Sequence, residues 1–335
     1  MLFFALKGSD ILGRRIAAAG GWPIAPHEER DFDRGEHKAR PLIDPRGRDV
    51  FVLAALQGGP EASVNDRLLR LLFFLATCRD HGAARVTAIA PYLPYGRKDR
   101  RTKAFDPLGI RYVAQTIEAM GCDQLVTLEA HNIAALDCAF RRPVLHLATD
   151  RLWAADIAAR VKDAARPLAV LSPDPGGVKR AQLMAEALET ATQRPVRFGF
   201  VEKRRSAGVV SGTQFAGDVA GASVHIVDDM ICGGGTLLRA AQAARAHGAA
   251  QVHGLATHAL FTDMLVDLVR GNGAFDSLTV TDSVAPFAQV AMGLAGRLRV
   301  LGVAPMIAEA IACIHDARPQ SAPAPPCVVP LATHQ

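Results

Sequence analysis

VHIVDDMICGGGTLLRAAQAARAHGA, residues 224–249, orders the reading of the rest of the chain. Val224, Ile226 and Val227 make a short apolar run of the kind that is buried on both faces of a parallel sheet. Two carboxylates, Asp228 and Asp229, stand at its end, followed by Gly233, Gly234, Gly235 and Thr236. Leu237, Ala240, Ala241 and Ala244 then recur at helical spacing, and Gly248 stands where a helix would be capped. A glycine-rich loop opening a helix can turn several backbone N–H groups toward one anion, with the helix dipole adding positive potential. Paired carboxylates beside such a loop suit sugar hydroxyls or Mg²⁺. The stretch therefore describes a pocket for a phosphorylated sugar. An ordinary glycine-rich turn with a solvated acidic pair is the plain alternative. The loop is neither a GK[ST] phosphate loop nor GxGxxG.

Outward from this stretch, apolar runs alternate with helical ones. The expected strands are Val50–Leu56, Val86–Ala90, Gln124–Leu128, Leu168–Leu171, Val224–Val227, Val252–Ala256 and Leu278–Thr281. The expected helices are Asn65–His81, Ile110–Met120, Val178–Ala191 and Leu237–His247. This alternation predicts an α/β fold with parallel sheets, and 335 residues suggest two domains. The opening MLFFAL reads as a first strand; it is too short and lacks the basic leader for a signal peptide. No apolar run approaches a bilayer-spanning length. Six scattered cysteines without CxxC spacing argue against a disulfide scaffold or structural zinc, and for a reducing cytoplasm. The net charge of +5 is dispersed and aromatics are few, which gives little support for nucleic-acid binding.

Four further segments carry chemistry. PYLPYGRKDRRTKAFDP, 91–107, gathers Arg97, Lys98, Arg100, Arg101 and Lys103 around Asp99. Guanidinium groups there could clamp a polyphosphate, or the run could be a solvated basic loop. LEAHNIAAL, 128–136, sets Glu129 and His131 two apart, a strand-end spacing that points both side chains one way and could share a Mg²⁺. LSPDPGGVKRAQ, 171–182, places Asp174 before a Gly176-Gly177 turn and a helix start, with the carboxylate available to ribose or metal. VEKRRSAG, 201–208, concentrates Lys203, Arg204 and Arg205; in a chain poor in lysine, Lys203 hints at a point charge for a transferring phosphoryl group.

In this order, the segments resemble the ribose-phosphate diphosphokinases, or PRPP synthetases, over roughly Leu2 to His315. The family's DDMIDTGGTL reads DDMICGGGTL here, its YARQDR reads YGRKDR at 95–100, and its DLH reads EAH at 129–131. SPDPGGVKRA at 172–181, the KRR of Lys203–Arg205, GDVAG at 217–221, ATHALF at 256–261 and TDS at 281–283 follow the family's pattern. FDRGE at 32–36 stands for its FxDGE, and VLGVAPMIAEAIACIH at 300–315 is similar to its closing strand and helix.

The resemblance implies two phosphoribosyltransferase-like domains, each a parallel sheet flanked by helices, related by a pseudo-twofold. Residues 1–147 would form the ATP-side domain and 148–292 the ribose-phosphate side. Residues 293–316 would be a strand and helix returning to the first domain, and the Pro-rich 317–335 a disordered tail. ATP would be held by Phe32, Arg34 and Glu36 of a neighbouring subunit with Arg97, Lys98, Asp99 and His131. Asp174, Asp228, Asp229, Cys232, Gly233, Gly234, Gly235 and Thr236 would hold ribose 5-phosphate. His131 and Asp174 would hold Mg²⁺, and Lys203 and Arg205 would be catalytic, stabilising the diphosphoryl group in transit. The implied partners are ATP, ribose 5-phosphate and a second copy of the chain, with a dimer as the minimum unit, and neither nucleic acid nor membrane.

Several positions depart from the family. Cys232 and Gly233 replace an Asp-Thr pair, Lys98 replaces Gln and could alter nucleotide preference, and Arg34 replaces Asp or Asn near the adenine. The family's regulatory positions read TKAFDP (102–107), AAL (54–56) and DARPQSAPAPP (316–326), which implies weak or absent phosphate activation. These departures keep open a non-catalytic regulatory paralogue and a diphosphokinase with a variant sugar-phosphate acceptor; the shared loop type leaves a third, a phosphoribosyltransferase that consumes PRPP, against which the KRR and YGRKDR segments and the two-domain length speak.

Overall fold

The first sheet is built from four- and five-residue apolar runs, too short for helices and rich in β-branched and aromatic side chains. In a computed structural model, the described residues are 1–161, 165–206, 209–262, 273–284, 286, 292–294, 296–316 and 327–328; for 203–206, 209–213 and 327–328 the description is of backbone alone. These residues divide into two compact units, Met1–Ala148 with 303–316 and Thr149–Gly302 with 327–328.

In the first unit the chain runs β1 (Leu2–Ala5), α1 (Asp10–Gly20), β2 (His27–Asp31), β3 (His37–Pro41), β4 (Asp49–Leu53) and α2 (Val64–Asp80). It continues with β5 (Arg85–Ile89), α3 (Gly109–Ala119), β6 (Gln124–Leu128), α4 (Ile133–Ala139) and β7 (Val144–Leu147). Five strands pair in the order β1-β4-β5-β6-β7, all parallel. Parallel neighbours need crossovers, which α2, α3 and α4 supply. The start of α2 is set by a capping box: the Asp66 N–H donates to Ser63 Oγ (3.2 Å) and the Ser63 N–H donates to the Asp66 carboxylate (2.8 Å). β2 and β3 form a separate antiparallel hairpin of charged residues, with Arg40 Nε donating to Glu28 at 2.6 Å across it.

The second unit contains α5 (Asp150–Arg160), β8 (Leu168–Ser172), α6 (Val178–Thr192), β9 (Val196–Ser206), β10 (Val209–Ala216), β11 (Ser223–Ile231) and α7 (Gly235–Ala246). β12 (Gln251–Ala259), β13 (Ser277–Thr281), β14 (Leu298–Gly302) and β15 (Cys327–Val328) complete its eight-stranded sheet, ordered β10-β9-β8-β11-β12-β13-β14-β15. The run from β9 to β14 is parallel, and the two edge pairs are antiparallel. Val224 and Ile226 pack with Leu237, Ala240, Ala241 and Ala244 in the main core, each at most 3% exposed, so the helical spacing read in α7 faces the sheet. The Gly248 N–H bonds Arg245 O at 3.0 Å, with φ at +84°, just past the helix end.

Two expectations about boundaries need correction. The last strand does not return to the first unit: β14 pairs parallel with β13, as in Leu278↔Leu298, and α8 (Ala304–Asp316) alone joins the first. There α8 packs on α1, and Arg85 Nη2 donates to Ile314 O at 2.8 Å. The tail expected to be disordered supplies β15, whose Cys327 and Val328 pair with Gly302 and Leu301; 317–326 and 329–335 lie outside the described residues. Among the described residues, Cys78, Cys122 and Cys138 are free thiols, and burial pushes Cys78 up to about 12. No helix among them is long and apolar enough to cross a membrane.

Candidate active site

The switch in strand order sits between β8 and β11. From β8 the chain steps outward to β9; from β11 it steps the other way to β12, β13 and β14. Loops at the carboxyl ends of two such strands diverge and leave a crevice between them. Ser223–Ile226 of β11 pair with Leu168–Leu171 of β8, so the loop after Ser172 emerges beside the carboxyl-terminal half of β11. Asp174 caps the turn Pro175–Gly177: its carboxylate accepts from the Gly177 N–H at 3.2 Å, and its carbonyl accepts from Ser172 Oγ at 2.5 Å. A side chain on Gly177 would lie 2.7 Å from Ser172 Oγ, so this close turn excludes one.

Asp228 and Asp229 do not follow the strand, as the sequence predicts; they lie within it. β11 runs on to Ile231, with Asp228 opposite Ala256 and Met230 opposite His258 of β12. The Asp229 side chain is almost wholly buried, that of Asp228 is 21% exposed, and the Asp229 N–H donates to Asp228 Oδ1 at 2.9 Å. Arg180, in the first turn of α6, approaches both, with Nη1 at 3.8 Å from Asp228 and 3.7 Å from Asp229. Burial, then the neighbouring Asp229, holds the Asp228 carboxyl well above the usual carboxylate range; Arg180 opposes and Asp174 adds to the rise. Arg180 is the residue that motif reading passed over, although it stands in the GGVKRA segment one turn from the anion-friendly glycines.

Beyond β11, Gly234 adopts φ +73° and opens α7, whose first turn has no side-chain cap among the described residues. Left-handed backbone costs a side-chain-bearing residue roughly 1 kcal/mol, which glycine avoids. The exposed N–H groups of an uncapped helix start are an anion site. Cys232, Gly233, Gly235 and Thr236 are half-buried around it, and Thr236 Oγ1 accepts from Arg239 at 3.2 Å. β9 pairs with β8 as far as Phe200↔Ser172, then continues, so the backbones of Lys203 and Arg205 lie beyond the same carboxyl edge. Their side chains, expected to be catalytic, lie outside the described residues.

The corresponding edge of the first unit carries the basic loop and EAH. Asp99 accepts from Asn132 Nδ2 at 2.7 Å, which ties the loop after β5 to the loop after β6, and its side chain is 5% exposed. Lys98 is not a free cation for a nucleotide: its Nζ bonds Asp106 at 2.6 Å within the same loop. That bond, with two from Thr102 and one from Lys103, holds the Asp106 carboxyl far below the usual range. Arg97 and His131 are exposed. Glu129 and His131 do not share a direction, contrary to the alternation argument: β6 ends at Leu128, Glu129 has φ +39°, and it is buried whereas His131 is exposed. Phe32, Arg34 and Glu36 form the exposed tip of the β2–β3 hairpin, with Arg34 at φ +66°, the Phe32 N–H on Glu36 O at 2.8 Å and Arg30 over the Phe32 ring at 5.2 Å.

Comparisons with known proteins agree with this geometry. Residues 1–121 match the N-terminal domain of ribose phosphate pyrophosphokinase, and 206–322 match the phosphoribosyl synthetase-associated domain. The ribose-phosphate pyrophosphokinase of Granulibacter bethesdensis is 33% identical over 94% of this chain and 97% of its own. That of Cereibacter sphaeroides is 35% identical over 90% and 86%. The crystal structure of phosphoribosylpyrophosphate synthetase from Mycobacterium smegmatis aligns with TM-score 0.83 and 27% identity over 94% of this chain and 99% of that one. With strand order, loop chemistry and near-complete alignment in agreement, the chain belongs to the ribose-phosphate pyrophosphokinase family of enzymes.

Proposed function

We propose that the protein transfers the diphosphoryl group of Mg²⁺-ATP to the C1 hydroxyl of ribose 5-phosphate, giving PRPP and AMP. The observation that carries this reading is the carboxyl edge of the second sheet, where Asp228 and Asp229 precede an uncapped, glycine-opened helix. The N–H groups at the start of α7 would receive the 5-phosphate, and the carboxylates would accept from ribose hydroxyls. The C1 oxygen attacks the β-phosphorus, the bond from that phosphorus to the α-phosphate's bridging oxygen breaks, and AMP leaves. Such a transfer needs positioning and charge neutralisation more than covalent participation. Lys203 and Arg205 would supply positive charge as the transferring group loosens. On the first unit, Arg97, Asp99 and His131, with Phe32, Arg34 and Glu36 of a neighbouring copy, would hold ATP.

The donor set fits Mg²⁺. Asp229 and Asp174 both raise the proton affinity of Asp228, with Arg180 opposing them, an excess of negative charge that a divalent cation or hydroxyl donors relieve. No group of three or more His, Cys, Asp or Glu among the described residues is arranged to hold a metal. Mg²⁺ commonly takes one or two carboxylates and leaves its other positions to water and substrate phosphates. Asp174 in the second unit and His131 in the first are each proposed as metal-holding residues of their own unit, and bound Mg²⁺ would neutralise developing phosphate charge. The thiols of Cys78, Cys122 and Cys138 support a cytoplasmic setting, and a dimer is the minimum assembly we propose.

Phosphorus NMR of the purified protein with ribose 5-phosphate, ATP and Mg²⁺ tests this directly. AMP and a 1-diphosphate should appear together; intact ATP beside measurable nucleotide binding would instead favour a non-catalytic regulatory role. Lys203→Ala should lower kcat by roughly 10²–10³ while changing the KM for ribose 5-phosphate far less. An effect confined to KM would reassign Lys203 to ground-state binding.

A further inference from the structure

The second unit holds a cavity of about 310 Å³ at the edge opposite the sugar-phosphate loops, where the first residues of β8, β11 and β12 line its floor beneath α5. His225 of β11 and His253 of β12 are register partners, and their rings stack at 5.0 Å. The His253 ring is tethered through Nδ1 to Ser277 Oγ at 2.8 Å. His225 is different: it is 3% exposed, and among the described residues neither ring nitrogen has a hydrogen-bond partner. A buried imidazole left so destabilises the fold unless something else completes its bonds. A stacked pair in the core needs no such polar atoms, so an aliphatic or phenyl side chain would serve packing better.

The charges around the cavity select the sign of an occupant. Asp156 is shared by two guanidinium groups, Arg160 (Nε 3.0 Å) and Arg299 (Nη2 2.7 Å), which leaves that cluster net positive. Arg166 adds a second cation at the lining. Burial, with Arg160 nearby, holds both histidines below their usual range, so each is a neutral imidazole with one donor and one acceptor nitrogen. A metal cation would meet guanidinium groups and find no third ligand among the described residues. An anion with hydrogen-bonding oxygens meets complementary charge and the amide of Gln251 as well.

We propose that this cavity binds a small oxyanion, a carboxylate- or phosphate-bearing metabolite, with His225 and His253 completing its hydrogen bonds and Arg160 and Arg166 balancing its charge. The volume admits a molecule larger than a bare ion, at the low end of small-ligand pockets.

Calorimetric titration of the full chain tests this, with ribose 5-phosphate saturating so that the glycine loop is occupied. One arm adds inorganic phosphate, the other malonate, and the arm that saturates names the oxyanion. Wild type should bind one equivalent per chain of at least one probe. His225→Leu should weaken that binding by at least about tenfold, a loss of about 1.4 kcal/mol. Arg166→Gln, a change at a half-buried position, guards against misfolding in the first variant; it should weaken the same probe while leaving ribose 5-phosphate affinity unchanged. Equal affinity in both variants and wild type, or saturation by neither probe, would overturn the proposal. Because the readout is binding, it stands or falls separately from diphosphoryl transfer.

Discussion

At Asp228 the surroundings favour the neutral acid, because burial and the adjacent Asp229 raise its proton affinity and Arg180 only partly opposes them. In the unfolded chain the same carboxyl ionises near pH 4. Above that pH the native state binds the extra proton, so this group's contribution to stability falls as pH rises through the native ionisation. Asp228→Asn removes the titration. Without ligand, its Tm should exceed that of wild type at about pH 8, with the gap closing toward pH 4, while PRPP formation is lost. A gap that stays constant across that range, by scanning calorimetry, contradicts this account. Lys98 carries a second prediction. Its charge is committed to Asp106, so Lys98→Gln should change the ratio of kcat/KM for ATP and GTP by less than about threefold. A larger swing would return Lys98 to the nucleotide.

The long β9–β10 hairpin and the helix starts are decided at the scale of elements. Gly199 and Gly217 approach each other at the open end of the hairpin, past the Ala216↔Phe200 pair: a Cβ on Gly199 would lie 2.5 Å from Ala216 O and 2.7 Å from Leu171 Cδ2. Gly217 has φ +131° and a Cβ there would lie 2.8 Å from Gly199 Cα. This gives the GDVAG segment a packing reason. Gly199→Ala should destabilise the protein by about 1–3 kcal/mol in urea unfolding, since backbone rather than a flexible side chain must yield. The hairpin was not among the strands read from the sequence. Val196, Phe198 and Phe200 alternate as a strand's apolar face does, but the charged Glu202–Arg205 and the small residues opening β10 break that pattern, and only Val196–Phe200 pair with β8. The capping box of α2 is the contrary case, because S-x-x-D writes its own hydrogen bonds.

At the scale of the whole molecule, the chain leaves the second unit at Gly302 and enters the first at Val303, so α8 closes a core whose other elements were laid down at the beginning. Ile307 and Ile311 of α8 are fully buried, and His315 Nδ1 reaches Asp49 Oδ2 at 2.7 Å. Ile311→Ala should cost about 2–5 kcal/mol in guanidinium unfolding. Partial digestion should then release the first unit before the second. Loss of the second unit first would mean that α8 does not complete the first unit's core.

The sequence alone determined what local chemistry can write: the alternation of short apolar runs with amphipathic helices, the glycine-rich opening of α7, and the ordered motifs that carry the family resemblance. Each of these rests on neighbours within a turn or a strand, so spacing suffices. The tertiary structure decided the rest. It put the acidic pair inside β11 with Arg180 over it, bound Lys98 to its own loop, turned Glu129 away from His131, and gave β14 to the second sheet. It also joined His225 to His253 across two strands. Those outcomes depend on which strands lie side by side, and pairing between distant segments leaves no periodicity in the segments themselves.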